Sequence, residues 1–362
     1  MILNSVVKLR SSGYRNFQME KENCNARTRL LEVEVLRPLA VLLVVLLHSF
    51  TVYWGKWAAP EGFVHIAPYK WIAATSFSFT MELFVMLSGY IFGFQLINLK
   101  RDYTLKSLLQ NKFKRLLVPS LIFSVLYASI FYWNRDILNA LYSIINGAGH
   151  MWFLLMLFWC FAFGLPLYKS KMKEGRKFAL LLLCVLLSTI SLPFRLEKAL
   201  YYLFFFYLGI TLIRRQDLCD RISTNYRLMI ALAIIYLASF VSYELVLPTL
   251  VKPENGIILR TLLFWLKRFW TFTYSLAGSL LVFSIAYRIF KNKTAASPMV
   301  IYCSSISFGV YLFHQIIIEV LLYKTSLPVI LGPYWLPWFS FIVALLGSVL
   351  LVQLLRKLNI RL

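Results

Sequence analysis

Long unbroken apolar runs follow one another along most of this chain, and they constrain its fold more than any other feature. Each run is about 20 residues long, the length of helix that crosses the hydrocarbon core of a bilayer. Within lipid every backbone N–H and C=O group needs a partner in the protein, so only helices and closed barrels span it. The runs do not alternate apolar with polar residues, which argues against barrel strands. The sequence therefore predicts an all-α integral membrane protein.

We predict about ten transmembrane helices in one bundle. The hydrophobic fraction of 60% exceeds what a soluble domain buries, which supports this reading. The predicted spans are 33–54, 73–97, 114–133, 151–168, 178–194, 199–213, 228–247, 262–287, 299–323 and 336–355. The fifth and sixth are the shortest for a hydrocarbon core of about 30 Å.

The formal net charge of +23 is explained by topology and predicts no nucleic-acid partner. A nucleic-acid-binding protein gathers its basic residues on one domain or stripe, whereas here they lie in short groups between apolar runs. With the N-terminus in the cytoplasm, 27 of the 38 Lys and Arg residues fall in cytoplasmic segments. Arg37 lies in the first span, and the other ten lie outside or near the outer boundary. This asymmetry predicts that both termini are cytoplasmic.

The chain divides into a short arm, the membrane domain and a tail. Residues 1–32 are expected to be a disordered cytoplasmic arm, 33–355 the ten-helix domain, and 356–362 a cytoplasmic tail. Translation from Met1 or from Met19 is compatible with the sequence. The five cysteines show no metal-ligand spacing, so no metal site is predicted. Any chemistry is expected among the helices.

Ionisable residues inside a span are costly and are therefore functional candidates. His48, Glu82 and His314 fall in the first, second and ninth spans, at depths that agree within roughly 5 Å at 1.5 Å per residue. The three are predicted to share one layer in the outer half of the membrane. His150 begins the fourth span at the rim of the same side.

Arg37 precedes His48 by eleven residues, which places it on the same helix face about 16 Å lower, near the cytoplasmic interface. A guanidinium there suits a phosphate, whereas the imidazole of His48 suits a base at neutral pH. Lys112 and Arg115, with Lys114, can add phosphate contacts. Structural alternatives remain open: Arg37 pairs with Glu34, and His48 or His314 serves only in packing.

Several stretches of the sequence resemble the membrane acyltransferase-3 family. They are LRPLAVLLVVLLHSF (36–50), Lys112 with Arg115, MELFVMLSGYIFG (81–93), HMWFLLMLF (150–158), YLGI (207–210) and SFGVYLFHQ (307–315). They occur in the family's order over nearly the whole chain. Tyr90 departs from the Phe that the family often has, and Val85 interrupts its aromatic stretch, but neither change touches the candidate site residues.

The resemblance implies transfer of an acyl group, usually acetyl, from cytoplasmic acyl-CoA to a hydroxyl of a surface polysaccharide or lipid-linked sugar. It implies a multi-pass protein of the bacterial inner membrane, with acetyl-CoA as co-substrate and no bound cofactor. His48 is then catalytic, and Arg37, Lys112 and Arg115 bind the donor.

Two mechanisms fit these residues. His48 acts as a general base oriented by Glu82, or His48 is itself acylated before transfer. His150, Trp152, His314 and Ser88 are expected to bind the acceptor or assist. Outer aromatic residues, Tyr53, Trp54, Trp57, Trp71 and Trp335, either stack on sugars or form an interfacial belt. The alternative function is secondary transport of a glycan or small molecule, although the sequence shows no internal repeat.

Overall fold

The computed structural model describes residues 30–60, 62–132, 137–252, 255–293 and 295–359. In this part of the chain the regular structure is entirely helical. The α-helices are α1 (Leu31–Phe50), α2 (Ala67–Phe77), α3 (Thr80–Ile97), α4 (Leu105–Lys112), α5 (Val118–Phe131), α6 (Ile137–Ile145), α7 (Trp152–Lys169), α8 (Glu174–Leu187), α9 (Leu196–Arg214), α10 (Gln216–Thr224), α11 (Tyr226–Val241), α12 (Leu247–Leu250), α13 (Ile257–Phe290), α14 (Pro298–Tyr323) and α15 (Leu327–Lys357). The predicted arm lies outside the described residues except for 30–32.

Nine helical stretches within the described ranges are long and apolar enough to cross a membrane. They are Leu31–Trp54, Ala67–Ile97, Leu105–Phe131, Gly149–Lys169, Pro193–Arg214, Tyr226–Leu250, Ile257–Phe290, Pro298–Tyr323 and Leu327–Lys357. Each overlaps one predicted span. The predicted fold class, an all-helical membrane bundle, is confirmed, and the sidedness of the termini stays a prediction.

The predicted fifth span, 178–194, differs from the other nine. It corresponds to α8, which has 14 residues and rises about 21 Å, less than a hydrocarbon core of about 30 Å. The helix ends early because the hydroxyls of Ser188 and Thr189 donate to the carbonyls of Val185 and Leu186 in its last turn. Among the described residues, nine helical stretches therefore meet the length and composition of a membrane span, and α8 falls short of the length.

Helices α1 and α14 lie side by side and run in the same direction. Nη1 of Arg37 donates to Oγ of Ser304 at 3.3 Å, and Nδ1 of His48 lies 3.1 Å from Nε2 of His314. Arg37 and His48 are eleven residues apart on α1, and their partners on α14 are ten residues apart. The two helices therefore stay in register over this length. This register fixes which polar groups meet.

The second span is broken between α2 and α3 at Ser78 and Phe79. A break frees backbone carbonyls, which need partners inside a membrane. Ser275 Oγ donates to the carbonyl of Ser78 at 2.8 Å, and Ser279 Oγ donates to that of Phe79 at 3.2 Å. Two serines of α13 thus stabilise the break.

Glycines bring α3 and α9 into backbone contact. A Cβ atom at Gly89 would collide with the carbonyl of Phe206, and one at Gly209 would collide with that of Met86. A Cβ atom at Gly93, one turn after Gly89, would meet the side chain of Ile213 and the backbone of Ile210. Small residues four apart let membrane helices approach closely. This contact fixes the rotation of α3, so residues in phase with Gly89 face α9.

Candidate active site

His48 lies in the last turn of α1, and its side chain is half-buried. Its Nδ1 atom is 2.9 Å from the carbonyl oxygen of Val44, one turn earlier, and 3.1 Å from Nε2 of His314. A carbonyl oxygen only accepts hydrogen bonds, so Nδ1 of His48 carries the hydrogen in this arrangement. The lone pair of the neutral ring is then on Nε2.

His314 is buried on α14 beside His48. Its Nδ1 lies 2.7 Å from the carbonyl of Tyr311 and 3.2 Å from that of Val310, so Nδ1 carries the hydrogen of this ring as well. The Nε2 lone pair of His314 therefore accepts from Nδ1–H of His48. In the part of the chain that the structure describes, Nε2 of His48 has no hydrogen-bond partner. In the hydrogen-bonded pair of His48 and His314, Nε2 of His48 is thus the nitrogen whose lone pair accepts no hydrogen bond.

His150 completes what we call the histidine cluster: His48, His150 and His314. Its ring centroid is 4.7 Å from that of His314 and 6.3 Å from that of His48. Nε2 of His150 donates to the carbonyl of Tyr311 at 2.7 Å, and the Tyr311 hydroxyl donates to the carbonyl of His150 at 2.6 Å. His150 lies in the turn Gly149–Met151 that begins the fourth span, as predicted from the sequence, and its side chain is buried.

Trp57 brings an aromatic face to the cluster from the segment after α1. Its ring centroid is 5.4 Å from that of His48, with 32° between the planes. The indole is half-buried. An aromatic face beside a base can hold a sugar ring or an acyl chain against it.

Glu82 does not lie against His48 as predicted, and this expectation is corrected. Its carboxylate accepts from the hydroxyl of Tyr201 on α9 at 3.3 Å, and among the described residues it forms no hydrogen bond with a histidine. Ring contacts surround Tyr201 with Tyr202 and Phe205. Glu82 thus belongs to a second, tyrosine-rich cluster.

Helix phase explains why Glu82 faces α9. It precedes Gly89 by seven residues, which is two turns, and the Gly89 face is packed on the backbone of α9. Depth in the membrane, on which the prediction rested, says nothing about rotation. The Gly-x-x-x-Gly spacing of Gly89 and Gly93 was the available signal.

Arg37 is half-buried in the second turn of α1. Its guanidinium donates to Ser304, and the described residues contain no ion pair between Arg37 and Glu34. A single hydrogen bond to a hydroxyl leaves most of the five guanidinium donors for other partners. This is compatible with an incoming phosphate.

The other two predicted donor residues lie on neighbouring turns but in different surroundings. The Lys112 ammonium packs over the ring of Phe161, 3.6 Å from its centroid. Arg115 is exposed in a π-helical turn, Phe113–Leu117, that joins α4 to α5. In the described part of the chain no hydrogen bond links Arg37, Lys112 and Arg115 to one another. The donor end is less closely assembled than the histidine cluster.

Two auxiliary candidates also fall outside the histidine cluster. The Lys198 ammonium lies 4.1 Å from the ring centroid of Trp152, which is also 6.2 Å from that of Tyr202. Ser88 donates to the carbonyl of Phe84 within its own helix at 2.9 Å. Trp152 therefore joins the tyrosine-rich side, and the hydroxyl of Ser88 is satisfied within α3.

Sequence reasoning missed two residues that build the site, Tyr311 and Ser304, and named a third, Trp57, only as one of the outer aromatic residues. Tyr311 supplies a carbonyl to two histidines, Ser304 receives Arg37, and Trp57 lies on His48. Tyr311 is inside the stretch 307–315 that we singled out for His314, three residues away on one helix face. Nothing in the sequence pairs Ser304 with Arg37, because the register of α1 and α14 is set by packing.

Comparison with known proteins gives the family. No curated protein and no solved structure matches the chain. The family model described as an acyltransferase domain, that of the acyltransferase-3 family, matches residues 30–357. The match covers every helix from α1 to α15 and so includes the histidine cluster and Arg37. The chain belongs to the acyltransferase-3 family and is an acyltransferase with a multi-pass membrane domain.

Proposed function

We propose that this protein transfers an acetyl group from cytoplasmic acetyl-CoA to a hydroxyl of a surface polysaccharide or lipid-linked sugar, with His48 as the general base. The observation that carries the proposal is the hydrogen-bond chain from His48 to His314. It holds His48 as the Nδ1–H tautomer and leaves the Nε2 lone pair for substrate. An oriented base of this kind is the core of acyl-transfer sites.

In the proposed reaction Nε2 of His48 removes the proton of the acceptor hydroxyl as its oxygen attacks the thioester carbonyl. The C–S bond then breaks, and the proton on Nε2 passes to the departing CoA thiolate. During the step His48 is a cation, and its Nδ1–H still donates to His314 and to the carbonyl of Val44. His314 acts through His48 and is a positioning residue.

The donor binds, in this proposal, with its phosphates near Arg37, Lys112 and Arg115. Arg37 and His48 lie eleven residues apart on α1, about 16 Å along the axis, and the pantetheine arm bridges this distance. The support is that Arg37 makes a single hydrogen bond within the described protein and that Arg115 is exposed. Glu82 is left out of the mechanism because it bonds Tyr201.

Acylation of His48 is the second route, and it uses the same nitrogen. Attack of Nε2 on the thioester would release CoA before any acceptor binds. Rapid mixing of the purified protein with acetyl-CoA, without acceptor, separates the routes. A stoichiometric burst of CoA supports acyl-histidine, and its absence supports direct transfer.

The alternative function, secondary transport, has less support, and the broken helix α2–α3 shows why. Transporters use the free carbonyls of such breaks to bind ions or substrate. Here the carbonyl of Ser78 accepts from Ser275 of α13, and that of Phe79 accepts from Ser279 and from the backbone N–H of Leu83. Protein groups therefore already occupy the carbonyls at the break that a transported ion or substrate would use.

The experiment that tests the proposal follows labelled acetyl from acetyl-CoA to cell-surface glycan in vesicles. We expect His48→Gln to lower the rate by about 10³-fold, within the range for loss of a general base. His65→Gln, on an exposed imidazole between α1 and α2, is the matched control. Normal transfer by His48→Gln, at equal protein in the membrane, would refute the role of His48.

A further inference from the structure

A cavity of about 520 Å³ opens at the end of the bundle where α1 ends, near the start of α13. Its volume is in the range of small-molecule sites. Four cations, Lys56, Lys70, Arg260 and Lys267, line it together with a single carboxylate, that of Glu244. Four positive charges against one negative give these described lining residues a net charge of +3.

The carboxylate of Glu244 pairs with Lys70 and leaves Lys56 and Lys267 available to a ligand. Glu244 is buried and pairs with Lys70 at 3.1 Å. Lys56 lies over the ring of Trp54, 4.9 Å from its centroid. Lys56 and Lys267 are exposed, and neither forms an ion pair within the described ranges. An anion in the cavity can be reached by both ammonium groups without competing with Glu244.

These cations run against the charge asymmetry of the chain. Lys and Arg are usually sparse at the outer ends of spans. The predicted outer end nevertheless carries ten Lys and Arg residues: Lys56, Lys70, Arg135, Arg195, Lys198, Lys252, Arg260, Lys267, Arg268 and Lys324. Four of the ten, Lys56, Lys70, Arg260 and Lys267, line this one cavity. Concentration of charge where topology disfavours it indicates a role in attracting an anion.

The remaining wall of the cavity is apolar. Leu247 and Val251 contribute from one side and Phe264 from the other. Val251 and Phe264 are each about half exposed, at 56% and 48%. A cationic group beside an exposed apolar wall fits an amphiphile with a charged headgroup and a hydrocarbon chain, because each part of the cavity desolvates one part of the ligand.

The cavity is connected to the histidine cluster through one short segment. Trp54 lines the cavity, and Trp57, three residues later, packs on His48 at 5.4 Å between centroids. One segment, Trp54–Trp57, thus contacts the cavity at its first residue and the histidine cluster at its last.

We infer that this cavity binds the phosphate-bearing headgroup of an amphiphilic acyl acceptor, through Lys56 and Lys267 with Lys70 positioned by Glu244. The word acceptor rests on the proposed function, whereas binding of the amphiphile does not. A polyprenyl phosphate carrying a sugar and a membrane phospholipid share this chemistry. The proposal commits to the lipid-linked sugar.

The test measures equilibrium binding of radiolabelled farnesyl phosphate to the full-length protein in phosphatidylcholine nanodiscs. Farnesol is the neutral match. We expect farnesyl phosphate to bind more tightly than farnesol. Lys56→Gln/Lys267→Gln should raise its Kd by about tenfold, the effect of losing two exposed charge contacts of roughly 0.7 kcal/mol each. Lys324→Gln, an exposed cation outside the cavity, should leave the Kd unchanged.

Equal affinity for farnesol, or an unchanged Kd in the double variant, would overturn the site. Nanodiscs containing phosphatidylglycerol distinguish the two sources of the headgroup. Persistence of farnesyl phosphate binding supports the acceptor, and its loss assigns the cavity to phospholipid. His48→Gln should bind the probe normally. If that variant also transfers acetyl normally, the proposed function fails while the binding site stands.

Discussion

At one end of α1, His48 lies against two other imidazole rings and hydrogen-bonds one of them, which is itself held by backbone carbonyls. At the other end, Arg37 has one long hydrogen bond to a serine hydroxyl. The other two predicted donor residues lie on separate elements from Arg37. One end of the helix is thus assembled before substrate arrives, and the other is open.

The difference matches two kinds of task. A base must be held in one tautomer and orientation, since misplacement by about 1 Å can cost 10²-fold in rate. Phosphate groups are bound by charge, which tolerates looser geometry. We therefore expect variants at the histidine end to change kcat, and variants at the arginine end to change the KM of the donor.

After that of His48 itself, the largest effect is expected at His314. His314→Ala removes the acceptor of His48 Nδ1–H, so the tautomer is held by Val44 alone and kcat should fall by about 10²-fold. His314→Gln keeps an acceptor oxygen near the position of Nε2 and should recover much of the loss. Steady-state kinetics in vesicles measures both. Equal losses in the two variants, or a change in donor KM alone, would contradict the positioning role.

A smaller effect is expected at Arg37. Arg37→Gln should raise the KM for acetyl-CoA by about tenfold, the cost of one charge-assisted contact of roughly 1.5 kcal/mol, with kcat unchanged. Ser304→Ala, which removes its protein partner, should leave KM within about twofold. A fall in kcat without a change in KM would mean that Arg37 acts in the chemical step, and it would contradict the separate roles assigned to the two ends of α1.

Arg115 should contribute less, because it is exposed and its interactions are screened. We expect Arg115→Gln to raise the donor KM by about threefold at low salt and hardly at all at high salt. Lys114→Gln, on the same π-helical turn, is the matched control. An identical effect of both substitutions would indicate general attraction of the anionic donor and no specific contact.

Glu82 provides the test of the corrected pairing. Glu82→Gln keeps an oxygen that accepts from Tyr201, so kcat and its pH profile should stay within about twofold of the original protein. A displaced pH profile would instead reveal electrostatic coupling between Glu82 and His48. Activity measured from acid to alkaline pH decides between them.

The smallest expected effect is a change in Tm, at the ion pair between Glu174, the first residue of α8, and Arg214, the last residue of α9. The Arg214 side chain hydrogen-bonds Glu174 and lowers the pKa of that carboxyl from its ordinary 4.5 to about 2. A lowered folded-state pKa stabilises the fold above pH 4.5, and this contribution is lost as the pH falls towards 2. Because Glu174 is 41% exposed, Glu174→Gln should lower Tm slightly near neutral pH and not near pH 2. A constant difference in Tm would contradict this.

The helical spans could be read from the sequence because lipid imposes them locally. An apolar run of sufficient length must satisfy its own backbone in a helix, whatever its neighbours are. The sequence marked the fifth span as short, but it did not show where α8 ends, since Ser188 and Thr189 end it through hydrogen bonds that compete with helix continuation. Its apolar content alone resembles that of a span.

The candidate site divides in the same way. The sequence determined that His48 and His314 lie at similar depth, because depth follows from the rise per residue along each helix. Tertiary structure decided which side chains meet. The register of α1 and α14 brings His314 to His48 and Ser304 to Arg37. The glycine contact between α3 and α9 turns Glu82 to Tyr201. Rotation about a helix axis is set by side-chain packing between helices, and no local property of the chain encodes it.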